Sequence, residues 1–73
     1  MNHSVIFGER LQLARRRCGI RQYQLADELG IARRTLTRWE NGQAGGINLE
    51  ALVAIAKRLG VSVDYLLGLT DHE

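Results

Sequence analysis

Arginine supplies nine of the ten basic residues of this 73-residue chain, and most of these arginines lie in the first part of the sequence. Residues 1–42 carry eight arginines against four acidic residues, a net charge of +4, whereas residues 43–73 carry two basic and four acidic residues, a net charge of −2. The planar guanidinium group suits phosphate recognition, so the basic half is a candidate for a polyanion partner. A solvated basic surface is the alternative, and charge alone does not decide between them.

The other reactive side chains do not predict a catalytic or metal site. Cys18 is the only cysteine, which excludes an internal disulfide, and only His3 and His72, both near the termini, could join it around zinc. No carboxylate pair and no Ser/His/Asp set can be assembled. We therefore expect no enzyme, no metal, no cofactor and no small-molecule ligand. The lone cysteine favours a reducing, cytoplasmic compartment, and we expect no signal peptide and no membrane span.

Apolar residues at helical spacing predict an all-α chain of five short helices, which form one domain over residues 1–73 with an ordered core at about 4–68. The first helix is expected over about residues 4–18, with Ser4 as its N-cap and Cys18 on its inner face. The full inner face of this helix is Phe7, Leu11, Ala14 and Cys18.

Four further helices follow at about residues 22–29, 33–41 and 49–59 and in a last turn or two after Ser62. Asn48 and Ser62 are the expected N-caps of the last two. The predicted inner face of the fourth helix is Leu49, Leu52, Ile55, Ala56 and Leu59. Beyond the fifth helix, residues 69–73 have little in the sequence to hold them, so we expect this end to fray.

Residues 22–41, QYQLADELGIARRTLTRWEN, place two helices only three residues apart. Ala26 is small enough to let the second helix approach closely, and Gly30 can take the positive φ that so short a turn requires. The remaining positions of the second helix are polar and free to face outward. The apolar residues that fill the wedge between the two helices are Leu25, Leu29, Ile31, Leu36 and Trp39.

With this segment, the chain resembles the Cro and phage-repressor group of helix-turn-helix regulators, also called the xenobiotic response element family. The resemblance covers roughly residues 6–68. It implies a compact, lambda-repressor-like bundle of five helices, with the helix-turn-helix at about 22–41 and the third helix in the DNA major groove. The signatures that carry the resemblance are Gln22 to Gly30, Trp39-Glu40-Asn41-Gly42, and Leu59-Gly60-Val61-Ser62-x-Asp64-x-Leu66.

The resemblance makes residues 33–41 the recognition helix. An arginine there can donate twice to guanine, worth about 1–3 kcal/mol of discrimination, although simple phosphate attraction or a solvated face would also account for arginines at these positions. The implied base contacts are Arg33, Arg34, Thr37 and Arg38. The implied phosphate contacts are Gln22, Arg21, Tyr23 and Asn41. The alternative for Gln22 and Tyr23 is an exposed side chain without a partner.

The resemblance also pairs Arg15 with Glu40, in a structural ion pair that joins the first and third helices. This would explain a charge beside the apolar stripe of the first helix. Two positions depart from the family pattern, because Arg21 and Ala32 stand where serine or threonine caps are usual. Each missing cap costs about 1 kcal/mol of helix-end stability.

These features predict a sequence-specific regulator that binds double-stranded DNA, as a homodimeric repressor that occludes a promoter at an inverted-repeat operator. The alternative is a protein-interaction module with the same fold, such as an antitoxin or a bridging factor, whose arginines meet an acidic protein surface. The C-terminal end has more apolar residues than a short helix needs, so we expect part of it to form the dimer contact. The residues expected there are Val63, Leu66, Leu67 and Leu69.

Overall fold

The computed structural model describes residues 2–73, which form five α-helices and no strand. The helices are α1 (His3–Arg17), α2 (Gln22–Leu29), α3 (Arg33–Glu40), α4 (Leu49–Leu59) and α5 (Val63–Leu66). The predicted all-α, five-helix, lambda-repressor-like fold is confirmed. Over the same residues, no helix has the length and hydrophobicity needed to cross a bilayer.

The first helix starts and ends earlier than its apolar spacing predicts. Asn2, not Ser4, is the N-cap, because the Asn2 side chain accepts the N–H of Val5 at 2.9 Å. The helix ends at Arg17, so the prediction that Cys18 faces the core was wrong: Cys18 is exposed, and its thiol donates to the carbonyl oxygen of Leu59 at 3.5 Å. The apolar residue that is buried after this turn is Ile20.

One core forms where α1 packs against α3, α4 and α5 and where α2 packs against α3 and α4. Its fully buried large side chains are Leu11, Leu25, Leu36, Ile55 and Leu66. Asn48 and Ser62 cap α4 and α5, since their side chains accept the N–H groups of Ala51 and Tyr65. The prediction of an inward Leu49 was wrong: it is 75% exposed, because it is the first residue of α4 and precedes the turn that reaches the core.

The C-terminal segment is held against α1, contrary to the expectation that it frays. The guanidinium of Arg10 lies 4.5 Å from the ring centroid of Tyr65 and donates to the carbonyl oxygens of Tyr65 and Thr70. Arg10 also pairs with Asp71, and the carbonyl oxygen of Glu73 accepts the N–H of Ser62 at 2.9 Å. A second ion pair ties Glu73 to the end of α1.

Candidate nucleic-acid interface

The α2–α3 pair is joined by a tight turn that sets the two helices at a fixed angle. Gly30 ends α2 in the left-handed conformation, with φ 70° and ψ 31°, which a residue with a Cβ rarely adopts. Its N–H and that of Ile31 both donate to the carbonyl oxygen of Ala26, as in a Schellman-type helix end. Buried Leu25 and Leu36 pack between the helices, which leaves the polar side of α3 free.

Three arginines lie on the exposed side of α3. Arg34 and Arg38 are exposed and one turn apart, and their side chains form no hydrogen bond or ion pair with any part of the chain that the structure describes. Arg33 is also exposed, and its Nε lies 3.5 Å from Oε1 of Gln22. Thr37 is half-buried, with its hydroxyl 3.1 Å from the carbonyl oxygen of Arg33. All four predicted base-contacting residues therefore stand on one helix, and the three arginines project into solvent.

A buried ion pair fixes α3 to α1. The carboxylate of Glu40 accepts Nε of Arg15 at 2.6 Å and Nη2 at 3.1 Å, and the side chains are 1% and 9% exposed, respectively. Arg15 also donates from Nη1 to the carbonyl oxygen of Ile20 at 2.8 Å. The bidentate geometry and the extra bond satisfy most of the guanidinium donors, as a buried charge requires.

Gln22 connects this ion pair to the surface. Its Nε2 donates to Oε1 of Glu40 at 3.0 Å, and its Oε1 lies 3.4 Å from the hydroxyl of Thr37. The side chain is therefore half-buried and has partners, so the alternative of an amide with no partner was wrong. An amide nitrogen carries two hydrogens, so one donor of Gln22 stays available to a ligand.

The other predicted phosphate contacts lie at two separate places. Arg21 is the N-cap of α2 and Tyr23 is 51% exposed in its first turn. Asn41, in contrast, is the exposed C-cap of α3, at the opposite end of that helix from Arg33. Because eight residues of α-helix rise about 12 Å, a contact by Asn41 would involve a different stretch of backbone from a contact by Arg21.

Both helix starts in this region lack a capping side chain, as the sequence predicts. Ala32 makes no side-chain bond at the start of α3. A guanidinium can only donate hydrogen bonds, so the Arg21 side chain cannot accept the N–H groups at the start of α2. Only half of a capping box therefore forms, in which Oε1 of Gln24 accepts the N–H of Arg21 at 2.9 Å. In α3 the N–H of Thr35 donates to the carbonyl oxygen of Ala32 at 3.0 Å. The first two N–H groups of each helix have no acceptor among residues 2–73 and are left for outside acceptors.

A polar cleft of about 550 Å³ opens between the end of α1 and the starts of α2 and α3. Four of its seven lining residues are arginines, and none is acidic. One of them, Arg16, was given no role by the sequence analysis. In the sequence, Arg16 is one of three consecutive arginines at the end of α1, and the sequence does not indicate which of the three faces the cleft. The lining residues are Gln12, Arg15, Arg16, Arg21, Gln22, Tyr23 and Arg33.

A family profile described as Helix-turn-helix matches residues 11–66, which is more than half of the chain. The chain belongs to the helix-turn-helix family. Three curated relatives of this helix-turn-helix chain are regulators. It is 42% identical to the prophage-derived, uncharacterized HTH-type transcriptional regulator YonR of Bacillus subtilis, over 85% of this chain and 56% of YonR. It is 39% identical to the HTH-type transcriptional activator BcrR of Enterococcus faecalis, over 84% of this chain and 29% of BcrR.

The third relative is Repressor protein C2 of a Salmonella phage, 36% identical over 85% of this chain and 28% of the repressor. The helix-turn-helix chain thus spans between about a quarter and just over half the length of these relatives. Among solved structures, hydroxypropylphosphonic acid epoxidase from S. wedmorenis matches with a TM-score of 0.84 and 35% identity, over 90% of this chain but only 35% of the epoxidase. The family and the named curated relatives are transcription regulators and not enzymes.

Proposed function

We propose that this chain is a transcription regulator that binds double-stranded DNA in a sequence-specific manner, with α3 in the major groove. The observation that carries the proposal is the free side of α3, where Arg34 and Arg38 have no partner within residues 2–73. An arginine without a carboxylate partner keeps its donors for guanine O6 and N7. The relatives, which include a transcriptional activator and a phage repressor, support the same function.

In this proposal, the residues divide into two groups by what they touch. Arg33, Arg34, Thr37 and Arg38 contact base edges, and Gln22, Arg21, Tyr23 and Asn41 contact phosphates. The ion pair of Arg15 and Glu40 positions α3 without touching DNA, because both side chains are buried. Base contacts then give specificity, and phosphate contacts fix the register of α3 on the duplex.

The proposal includes a homodimer that binds an inverted repeat and represses by covering a promoter. A single small domain buries only about 600–1,000 Å² on DNA, so a second copy would roughly double the contact. The dimer contact cannot use Leu66, as the sequence suggested, because Leu66 is 0% exposed in the core of its own chain. Val63 and Leu67 are half-buried and Leu69 is 63% exposed, so these three carry the proposed contact.

The test is selection of bound duplexes from a random DNA pool, followed by titration of the selected duplex at several salt concentrations. We expect an inverted repeat with guanines at two or three positions in each half-site. Arg34→Ala should relax the preference at one base pair, whereas Gln22→Ala should weaken all duplexes alike. Recovery of no motif, with binding that disappears as salt rises, would refute sequence-specific recognition.

A protein-interaction module is the second candidate, and the match to part of an epoxidase favours it, since there the same fold is a portion of an enzyme and not of a transcription regulator. The exposed arginines would then meet an acidic protein surface. Sequence-independent DNA binding, together with capture of an acidic protein that Arg34→Ala abolishes, would support this candidate. Recovery of an operator motif would favour the regulator.

A further inference from the structure

The cleft between the end of α1 and the start of α2 has more positive charge than the helix-turn-helix itself supplies. Arg16 lies on the last turn of α1, outside the α2–α3 pair, yet it lines the cleft with Arg21 and Arg33. Arg16 and Arg21 are exposed and form no ion pair within residues 2–73. Their donors are therefore free.

Glu40, the carboxylate that is bonded to Arg15 and Gln22 in the lining of the cleft, does not neutralise these arginines. Glu40 lies beneath the cleft with a side chain that is 1% exposed, and its oxygens accept Arg15 and Gln22. The positive charges of Arg16 and Arg21 thus face an open, polar space without a counterion from the chain.

The backbone adds further donors at the same place. Arg21 caps α2 without offering an acceptor, so the N–H groups of Gln22 and Tyr23 have no partner among the described residues. Free N–H groups at a helix start, with the positive end of the helix dipole behind them, favour an anion. A tetrahedral phosphate oxyanion fits both the charge and the donors.

We infer that this cleft is a phosphodiester-binding site and that Arg16 is one of its ligands. The inference rests on the proposed DNA-binding function and extends it, because it carries the DNA contact beyond the helix-turn-helix onto α1. A backbone phosphate next to the groove that α3 occupies lies between Arg16 and the first turn of α2. The contact adds affinity on every sequence and no base preference.

Arg17 provides a matched control for Arg16. The two residues are adjacent, and each carries one positive charge at the end of α1. Arg17, however, does not line the cleft and forms an ion pair with Glu73. Removing either guanidinium changes the charge of the chain equally, so any difference between the two variants reports the position of the charge.

The experiment measures DNA affinity of the full chain as a function of salt for the wild type, Arg16→Ala, Arg16→Lys, Arg17→Ala and Arg34→Ala. Thermal unfolding of each variant checks that it is folded. We expect Arg16→Ala to weaken binding to all duplexes by roughly tenfold at low salt. The slope of log K against log salt should fall by about 0.9, the value for one lost phosphate contact. Arg16→Lys should retain most of the affinity, and Arg17→Ala should stay close to the wild type.

A second arm identifies the ligand atom. Neutral methylphosphonate is placed at one backbone position at a time along the selected half-site. At one position, the affinity of the wild type should fall by more than that of Arg16→Ala, because in the variant this phosphate has already lost its contact with Arg16 and keeps only the contacts with Arg21 and the first turn of α2.

The inference is overturned if Arg16→Ala and Arg17→Ala bind alike, or if the Arg16→Ala loss persists on every methylphosphonate duplex. In those cases, a base-specific loss in Arg34→Ala would show that the proposed function still stands. If the wild-type chain binds no duplex, both the inference and the proposed function are overturned. This outcome is seen before any variant is compared.

Discussion

Glu40 is the residue through which the helices that carry the candidate interface are joined. Its carboxylate accepts two bonds from Arg15 on α1 and one from Gln22 on α2, and Glu40 itself ends α3. Because the Gln22 amide gives one hydrogen to Glu40, the orientation of the amide is fixed and its second hydrogen remains as a donor. In the proposed DNA complex, the position of α3 therefore depends on the buried charge of Glu40, which would not touch DNA.

We expect Glu40→Ala to be strongly destabilising. It leaves Arg15, whose side chain is 9% exposed, as a buried charge without its carboxylate, and breaking a buried pair in this way costs about 3–5 kcal/mol. For a domain of this size, such a loss approaches the whole free energy of unfolding. Urea denaturation of the purified variant measures it.

Two further variants separate the effect of losing an ion pair from the effect of leaving a charge buried. Glu28→Ala removes the partner of Arg58 on the surface; Glu28 raises the pKa of that guanidinium by its hydrogen bond and charge. Because this pair is solvated, we expect a far smaller loss than for Glu40→Ala. The double variant Arg15→Met with Glu40→Leu should recover most of the stability, since no charge stays buried. Equal losses in Glu40→Ala and Glu28→Ala would contradict this role.

The sequence identified this ion pair from two different sources. A charge beside the apolar stripe of the first helix pointed to Arg15, but only the family resemblance supplied Glu40, which is 25 residues away. Helical spacing gave the wrong prediction for Cys18, and the surplus of apolar residues at the C-terminal end gave the wrong prediction for Leu66. Each residue is of a type that suits its predicted place. However, Cys18 lies just past the end of α1, and Leu66 is buried in the core of its own chain. Which apolar residues remain for a partner depends on long-range packing, which local spacing does not encode.

At the scale of elements, Gly8 sets how closely α1 approaches the end of α3. A Cβ built on Gly8 would lie 2.4 Å from the carbonyl oxygen of Trp39 and 2.8 Å from that of Glu40. Both are backbone atoms, so a side-chain rotation cannot relieve the clash. Glycine in mid-helix costs about 1 kcal/mol relative to alanine, and here that cost is offset by close helix packing.

Gly8→Ala should therefore destabilise the chain despite the better helix propensity. Overpacking costs about 1–3 kcal/mol, which exceeds the roughly 1 kcal/mol gained from propensity. Because α3 must shift away from α1, we also expect weaker binding to the selected duplex. Thermal unfolding and a DNA titration measure the two effects.

Gly45→Ala is the matched control for Gly8→Ala. Gly45 is exposed, has no positive φ, and a Cβ there would meet nothing within 4 Å. Alanine should leave stability unchanged or raise it by up to about 1 kcal/mol through a less flexible unfolded chain. If Gly8→Ala were as stable as Gly45→Ala, the close approach of α1 and α3 would not be a constraint.

Element boundaries followed from the sequence where one local signal was decisive. Asn48 and Ser62 are each the single capping residue before their helix, and both were predicted correctly. At the first helix, Asn2 and Ser4 are both good caps, and the sequence alone favoured the wrong one. The close approach at Gly8 had no local signal, because it depends on the backbone of a helix more than 30 residues away.

Over the whole molecule, contacts between distant parts of the chain determine structure that local sequence patterns do not predict. The C-terminal segment looks unsupported in sequence, yet Arg10 binds it across 55 to 61 residues of chain. No residue near 69–73 predicts this contact, because the partner of the segment lies on the first helix. The division into a basic and an acidic half, by contrast, follows directly from the sequence, since charges can be counted without knowledge of contacts.

The size of the molecule limits how the proposed dimer can form. Its principal extents are 28 × 22 × 20 Å, whereas two recognition helices on adjacent major grooves lie about 34 Å apart. Two copies at that spacing meet only at their edges, and an interface well below about 1,000 Å² does not hold a stable dimer in solution. We therefore expect a monomer at micromolar concentration that pairs cooperatively on an inverted repeat.

Sedimentation velocity without DNA tests the first part, and titration of duplexes with altered half-site spacing tests the second. Five extra base pairs turn one half-site to the opposite face of the duplex, so each half-site should then bind one copy independently, at the affinity of an isolated half-site. Ten extra base pairs restore the face but add about 34 Å, so direct contact and cooperativity should again be lost. Unchanged cooperativity after the five-base-pair insertion, or a dimer that persists at nanomolar concentration without DNA, would show that the two copies associate through a larger surface than their edges provide.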